Sequence, residues 1–261
     1  MSNEKIWSLL NTLKIYRAKA SETDYIMPTW LPFIGLILVL IAMFIIILGA
    51  LLETFILLGA GLALAIFGGL AGFAVSIYVL YKWIDRMNNH FRRTMMFYST
   101  LADIAEELKI PEASRIRNQV NELKIVFEER SPVLWVILSI FVPFIEFYVY
   151  HFLNKDFVKH CIRERLILSS FADGLKAIAP EYTIDIDRLY MVPNRSTLLY
   201  IVLTIITLGL FGLYWIYTLT VDPNRHFESH QIIEEKIIAA VEAAARKTIT
   251  ASTSGEGEQA Q

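Results

Sequence analysis

The chain has 261 residues, 55% of them hydrophobic and only 19% charged, with a mean hydropathy of +0.48. Soluble domains carry about 25% charged residues, so this balance points away from a water-soluble globule. A formal charge of −2 excludes a bulk cationic nucleic-acid binder, and a single cysteine, Cys161, excludes an internal disulfide and any multi-cysteine metal site.

Residues 1–30 form an amphipathic N-terminal segment in which Ile6, Trp7, Leu10, Leu13 and Ile15 alternate with Lys5, Lys14, Arg17 and Lys19. That pattern suits a helix lying on a membrane surface, or one docked on the rest of the chain. Residues 31–83 predict a transmembrane helical hairpin, because Leu31 to Leu52 and Phe55 to Tyr81 are uncharged and only Glu53 and Thr54 separate them. In the second helix Gly61, Ala65 and Gly69 fall on one stripe and Gly68 and Gly72 on another, a spacing that lets helix backbones approach closely in lipid.

Residues 84–132 read as a polar helical segment with an apolar stripe through Phe91, Met95, Leu101 and Leu108, then a second through Ile116, Val120, Leu123 and Phe127. Membrane segment 3 covers 133–153 and contains Pro143 and Glu146; a polar helical loop covers 154–196, with a strand-like alternation from Tyr182 to Asp187. Membrane segment 4 covers 197–220 and contains Gly209 and Gly212. A polar helix follows over 221–247, whose seam of Ile233, Ile237, Ala240 and Ala244 suits pairing between protomers. The composition of 248–261 predicts a disordered tail.

A repeat runs through this pattern. Tyr78, Tyr81, Asn88, His90 and Phe91 recur at a constant shift of 136 residues as Tyr214, Tyr217, Asn224, His226 and Phe227. Tyr148 and His160 stand between them as a weaker middle copy without the second Tyr and the Asn, and Arg130-Ser131 parallels Arg195-Ser196. Each copy reads as an apolar segment, an aromatic exit and a polar helix, the last with Asp222 as cap and Pro223 at the first helical position. The fold class is therefore an all-α integral membrane protein with a threefold internal repeat: a transmembrane hairpin, two further membrane-inserted segments and amphipathic cytoplasmic helices.

The stretch Thr207-Leu208-Gly209-Leu210-Phe211-Gly212-Leu213-Tyr214-Trp215-Ile216-Tyr217 resembles a prokaryotic membrane-protein family of unknown function, marked by a Thr-Leu-Gly-x-x-Gly-x-Tyr-Trp-x-Tyr segment before a charged helix. The resemblance implies a membrane location and no site residues.

Lys and Arg distribution places the N-terminus in the cytoplasm and the 53–54 turn outside. If segment 3 spans, residues 154–196 lie outside, yet they carry seven basic residues against eight in 84–132. Either segments 3 and 4 are re-entrant hairpins broken at Val142-Pro143 and Leu208-Gly209, or both span and the charges are tolerated.

The sequence offers few groups for chemistry. His226 and His230 have a metal-ligating i, i+4 spacing, but read more simply as the polar start of a helix at the interface. His90, His160 and His226 would converge if the copies surround a pseudo-threefold axis, though duplication alone accounts for their recurrence. Glu146 and His151 are the intramembrane polar candidates. No nucleotide loop, nucleophile elbow or zinc-protease motif is present. The sequence thus predicts no catalytic, cofactor or metal residues. It predicts a non-enzymatic cell-membrane protein that binds lipid, shapes the bilayer or scaffolds partners, possesses no nucleic-acid partner, and is open to homo-oligomerisation. The alternative is a small transporter or channel subunit oligomerising through the Gly-rich helix.

Overall fold

The structure is a computed structural model that describes residues 3–258. Its helices in chain order are α1 (Asn3–Ala18), α2 (Ala20–Thr23), α3 (Ile34–Leu51), α4 (Phe55–Glu107), α5 (Ala113–Val126), α6 (Pro132–Phe141), α7 (Ile145–Leu175), α8 (Thr197–Ile206) and α9 (Leu210–Glu258). No strand occurs among the described residues. The alternation at 182–187 becomes an irregular segment ending in a short 3-10 helix, Ile186–Arg188, because no second strand lies alongside to take its backbone hydrogen bonds.

α3 and α4 are long and apolar enough to cross a membrane, and only 11% and 17% of their most apolar windows are buried within the chain. The turn between them closes without glycine. Glu53 adopts a left-handed φ of 52°, while Thr54 N–H donates to Gly49 O and Glu53 N–H to Ala50 O. The same capping pattern ends α4 at Lys109 and α8 at Leu208.

Glycines on α4 then set how closely the two helices approach. A Cβ on Gly72 would lie 2.5 Å from Gly35 Cα, and one on Gly61 would lie 2.6 Å from Ile46 Cγ1. Gly68 packs on Leu38, whereas Gly69 has nothing within 4 Å and Ala65 is half-buried. The contact face is therefore Gly61, Gly68 and Gly72, cut across the two stripes read from the sequence, and it is filled by α3 of the same chain.

Three helical hairpins make up the frame: α3–α4, α6–α7 and α8–α9. In each, the apolar segment and the polar helix expected as separate units are one continuous helix. α4, α7 and α9 pass through positions 83/84, 153/154 and 220/221 without a break, because a change from apolar to polar side chains leaves the backbone ladder intact. Pro223 accordingly sits inside α9 instead of opening a helix. It cannot donate to Leu219 O, and that carbonyl instead accepts from Arg86 Nη2 at 3.0 Å. Asp222, free of any capping role, binds Arg195 and the Tyr190 hydroxyl.

α4, α7 and α9 run parallel. Trp83, Tyr150 and Trp215 pack at one level, with ring centroids 6.0 Å and 5.2 Å apart. His90, His160 and His226 meet at a second level further along all three helices, at 5.0–6.1 Å. All three hairpin turns thus lie on the same side.

A cycle of asparagine clamps links the hairpins. Asn88 on α4 exchanges two hydrogen bonds with the Arg130 backbone, just before α6. Asn154 on α7 bonds Pro193 O and Arg195 N–H, just before α8. Asn224 on α9 closes the ring by pairing with both backbone groups of Met27, ahead of α3. Asn154 lies six residues before His160 where the outer copies place Asn two before, so the middle copy carries the clamp about one turn earlier. Ser131 and Ser196 cap α6 and α8 in the same way, and Arg130 and Arg195 reach Asp156 and Asp222 on the returning helices.

Below the histidine level the helix ends form a closed core. α1 lies on α4 and α9, burying Ile6, Leu10 and Leu13, with Lys5–Glu107 and Lys14–Glu242 pairs along its edge. Ile6, Leu10 and Leu13 thus dock it on the protein, while Trp7 and Ile15 stay exposed. The seam of Ile233, Ile237, Ala240 and Ala244 is buried in this same core, so it pairs within the chain. α9 continues helical through Glu258 where a disordered tail is expected from 248, since elongating an existing helix needs no new nucleus; residues 259–261 lie outside the described residues.

Gly72→Val should separate α3 from α4 at Gly35 and lower stability by about 1–3 kcal/mol, the usual range for overpacking. Gly69→Val, in open space, should shift it by no more than about 0.5 kcal/mol. Thermal unfolding of the two variants in the same detergent reads the difference.

Candidate functional site

Where α4, α7 and α9 converge, the structure buries a polar cluster. Helical spacing of three or four residues turns His90, Arg93, Thr94 and Tyr98 inward from α4, His160 and Glu164 from α7, and His226, His230 and Glu234 from α9. Asp24 enters from the loop after α2. None of these residues is more than 4% exposed.

The contacts form one network. Arg93 donates to both Glu234 oxygens at 2.7 and 2.9 Å and to Asp24 Oδ2 at 2.8 Å. Asp24 Oδ1 is 3.1 Å from His90 Nδ1, and Glu234 Oε1 is 2.9 Å from His230 Nδ1. On the inner side, Glu164 Oε1 is 2.8 Å from His160 Nε2 and 2.9 Å from His230 Nε2. Glu164 Oε2 is 3.3 Å from His226 Nε2, which is itself 3.2 Å from His90 Nε2. His226 Nδ1 reaches Tyr190 O at 3.0 Å, with Cys161 Sγ at 3.5 Å.

Electrostatics follow from burial and these neighbours. Burial alone would neutralise Glu164, but His160 and His230 outweigh it and hold its carboxyl well below the ordinary range. Burial also disfavours charge on His230, yet Glu164 and Glu234 together raise it to about 9. His90 is pushed well down: burial exceeds the attraction of Asp24, and His226 and His230 add to the depression. Among the described residues no Lys or Arg contacts Glu164, so imidazoles, with the Tyr98 hydroxyl beside them, face its charge. One donor atom from each of His90, Glu164, His226 and His230 lies within 4.8 Å of the others.

The residues singled out in the sequence separate into three environments. Tyr78, Tyr148 and Tyr214 are 45%, 49% and 46% exposed, and Tyr217 is 40% exposed, forming an outer ring with half-buried Tyr81. Asn88 and Asn224 are clamps. His90, His160 and His226 meet in the core, and His226 and His230 are buried there instead of opening a polar helix at an interface. Glu146 and His151 do not act together. Glu146 lines a cavity of about 220 Å³ with Ser76, Ser139 and Tyr150, while His151 bonds Thr197 Oγ1 at 2.7 Å; five residues along a helix puts them on different faces.

Sequence reasoning did not find Asp24, Arg93, Glu164, Glu234 or the Asn154 clamp. A signal existed for two of them, since Glu164 and Glu234 each stand four residues after a histidine. Asp24 and Arg93 carry no such mark.

Residues 195–245 match a family described as a domain of unknown function, DUF4234. The matched stretch holds Arg195, hairpin α8–α9 and the α9 contribution to the cluster. No curated protein and no solved structure matches the chain.

Arg93→Met should remove the guanidinium that joins the Asp24 and Glu234 carboxylates. Breaking a buried ion network this way costs about 3–5 kcal/mol. Thermal unfolding should register that loss, while Lys5→Met at the exposed Lys5–Glu107 pair leaves the transition in place.

Proposed function

We propose that the chain is a multi-pass protein of the cell membrane, built from three copies of one hairpin unit, that acts without catalysis as a lipid-interacting, bilayer-shaping scaffold. In this reading α3–α4 crosses the bilayer, while α6–α7 and α8–α9 dip in and return on the cytoplasmic side.

One observation carries it: three hairpin turns on the same side of the fold expose large apolar side chains, with Glu53 in the first turn the one exposed charged residue among them. Leu51 and Phe55 are 76% and 86% exposed, Phe141 and Phe144 77% and 75%, and Leu208 and Leu210 95% and 71%. Water would make such tips unfavourable, and lipid would not. Ten-residue α6 and α8 reach about 15 Å, half the roughly 30 Å hydrocarbon core, whereas α3 at 18 residues suits its full thickness. The half-exposed tyrosines then fall at headgroup level. Re-entry also keeps the basic residues of 154–196 with those of 84–132, which removes the charge conflict of a four-span chain. Two half-depth hairpins add volume to one leaflet alone, and that asymmetry favours curvature.

In a Cys161→Ser background, Lys124→Cys, Lys159→Cys and Glu235→Cys should all react with an impermeant thiol reagent from one side, and Glu53→Cys from the other. Labelling of Lys159→Cys from the Glu53 side overturns re-entry. Vesicles reconstituted with the protein should be smaller and more curved than protein-free ones; an unchanged diameter removes the shaping role.

A small transporter or channel subunit is the second reading. It is favoured by Glu146, whose buried Oε2 makes no hydrogen bond beside the cavity between α4 and α6. Against it, the glycine face meant for oligomerisation is filled by α3. Unchanged ion flux in proteoliposomes carrying Glu146→Gln discards it.

A further inference from the structure

We propose that His90, His226, His230 and Glu164 bind one divalent transition-metal ion, zinc by donor type, at the junction of α4, α7 and α9. The inference is independent of the membrane topology, since all four residues lie in the polar bundle beyond the hairpins.

Spacing is the first argument. His90 Nε2 and His226 Nε2 are 3.2 Å apart and His226 Nε2 and Glu164 Oε2 3.3 Å; His230 Nε2 lies 2.9 Å from the other carboxylate oxygen, Oε1, and one donor atom from each of the four residues lies within 4.8 Å of the rest. A tetrahedral ion with bonds of about 2.0–2.1 Å holds its donors about 3.3 Å apart. Three imidazoles and one carboxylate suit zinc by donor type and geometry. All four ligand residues are at most 1% exposed, which fits a closed structural ion better than a catalytic one with an open position.

The outer nitrogens supply the second argument. Tyr190 O can only accept, so His226 keeps a proton on Nδ1, 3.0 Å away, and Nε2 is the nitrogen that can give up its proton to a metal on the inner side. The carboxylates of Asp24 and Glu234, 3.1 and 2.9 Å from the Nδ1 atoms of His90 and His230, favour the same tautomer there, although those contacts are not aligned as hydrogen bonds. The inward Nε2 atoms of His90 and His226 then face each other at 3.2 Å, a separation that needs either a metal ion or a shared proton between them. Histidine ligands to metals show this arrangement, the second nitrogen held by a carboxylate or carbonyl.

Glu164 is the third. Its Oε2 is buried, makes no hydrogen bond and faces the same point, while Oε1 is held by His160. Arg93 fixes both outer carboxylates. The Tyr98 hydroxyl, 3.0 Å from His230 Nε2, would turn from that nitrogen as the ion binds.

Protons on the imidazoles would also bridge these lone pairs, and direct metal measurement separates the two. The full chain, purified in detergent and dialysed against chelator, is titrated with zinc and, separately, with cobalt(II). After gel filtration about one zinc per chain should be retained, and cobalt should give the visible absorption of a tetrahedral site. Asp24→Asn, an outer-partner change, should weaken affinity by about 10–100-fold. The double variant His226→Asn, Glu164→Gln should retain no zinc, and His151→Ala should bind like the parent. A helical, monodisperse parent chain that takes up neither metal overturns the proposal. So does zinc uptake that survives in the double variant, or an Asp24→Asn affinity equal to the parent's.

Discussion

Placing Glu164 at the meeting point of three helices removes a carboxylate from water and gives it no guanidinium or ammonium in return. Effective penalties for burying such an ion are several kcal/mol, so the groups around it must answer its charge closely. They come from two helices, His160 from its own and His226 and His230 from α9, and His90 of α4 meets His226. Around this inner ring Asp24 and Glu234 hold His90 and His230, and Arg93 joins the two carboxylates. Because the network draws on several segments, satisfying one charge fixes the relative positions of α4, α7, α9 and the loop after α2. The apolar core below, in which α1, α5 and the irregular 180s segment take part, packs around helices whose register is set at this level.

A second layer of constraint lies between that cluster and the hairpin turns. Three asparagines each hold the backbone of the segment leading into the following hairpin, and the third returns to the first. An amide can donate and accept at once, which makes it suited to clamping one peptide unit in a chain direction. The cycle ties the N-terminal segment to α9, almost two hundred residues later. Arg86 adds to it by bonding the Leu219 carbonyl that Pro223 leaves free, so a proline that would ordinarily kink a helix is tolerated where a buried donor meets it.

The hairpins present a different surface. Above the tryptophan level, α3–α4 relies on backbone proximity at glycines, with contact distances that exclude a methyl group, while large aliphatic side chains point outward. Below it, the same continuous helices carry charged pairs on their outer surface. One helix thus carries an apolar and a charged outer surface, and the change occurs in side chains alone.

Much of this was legible in the sequence. Apolar runs of hairpin length, the breaks near Pro143 and Gly209, and the helical stripes follow from local pattern, because burial of one helix face selects residues at fixed periods. The recurrence of His90, His160 and His226 hinted at a meeting point. Tertiary structure alone decided the rest. It joined apolar and polar segments into single helices, turned the seam of α9 and the stripe of α1 into the chain's own core, and assigned Gly61, Gly68 and Gly72 to α3 while leaving Gly69 open. It also brought Asp24 and Arg93 to the histidines. Periodicity reports which face of a helix is covered, but not by what; the partner of a buried charge is fixed by distance in space, and residues 69 positions apart carry no mark of that proximity along the chain.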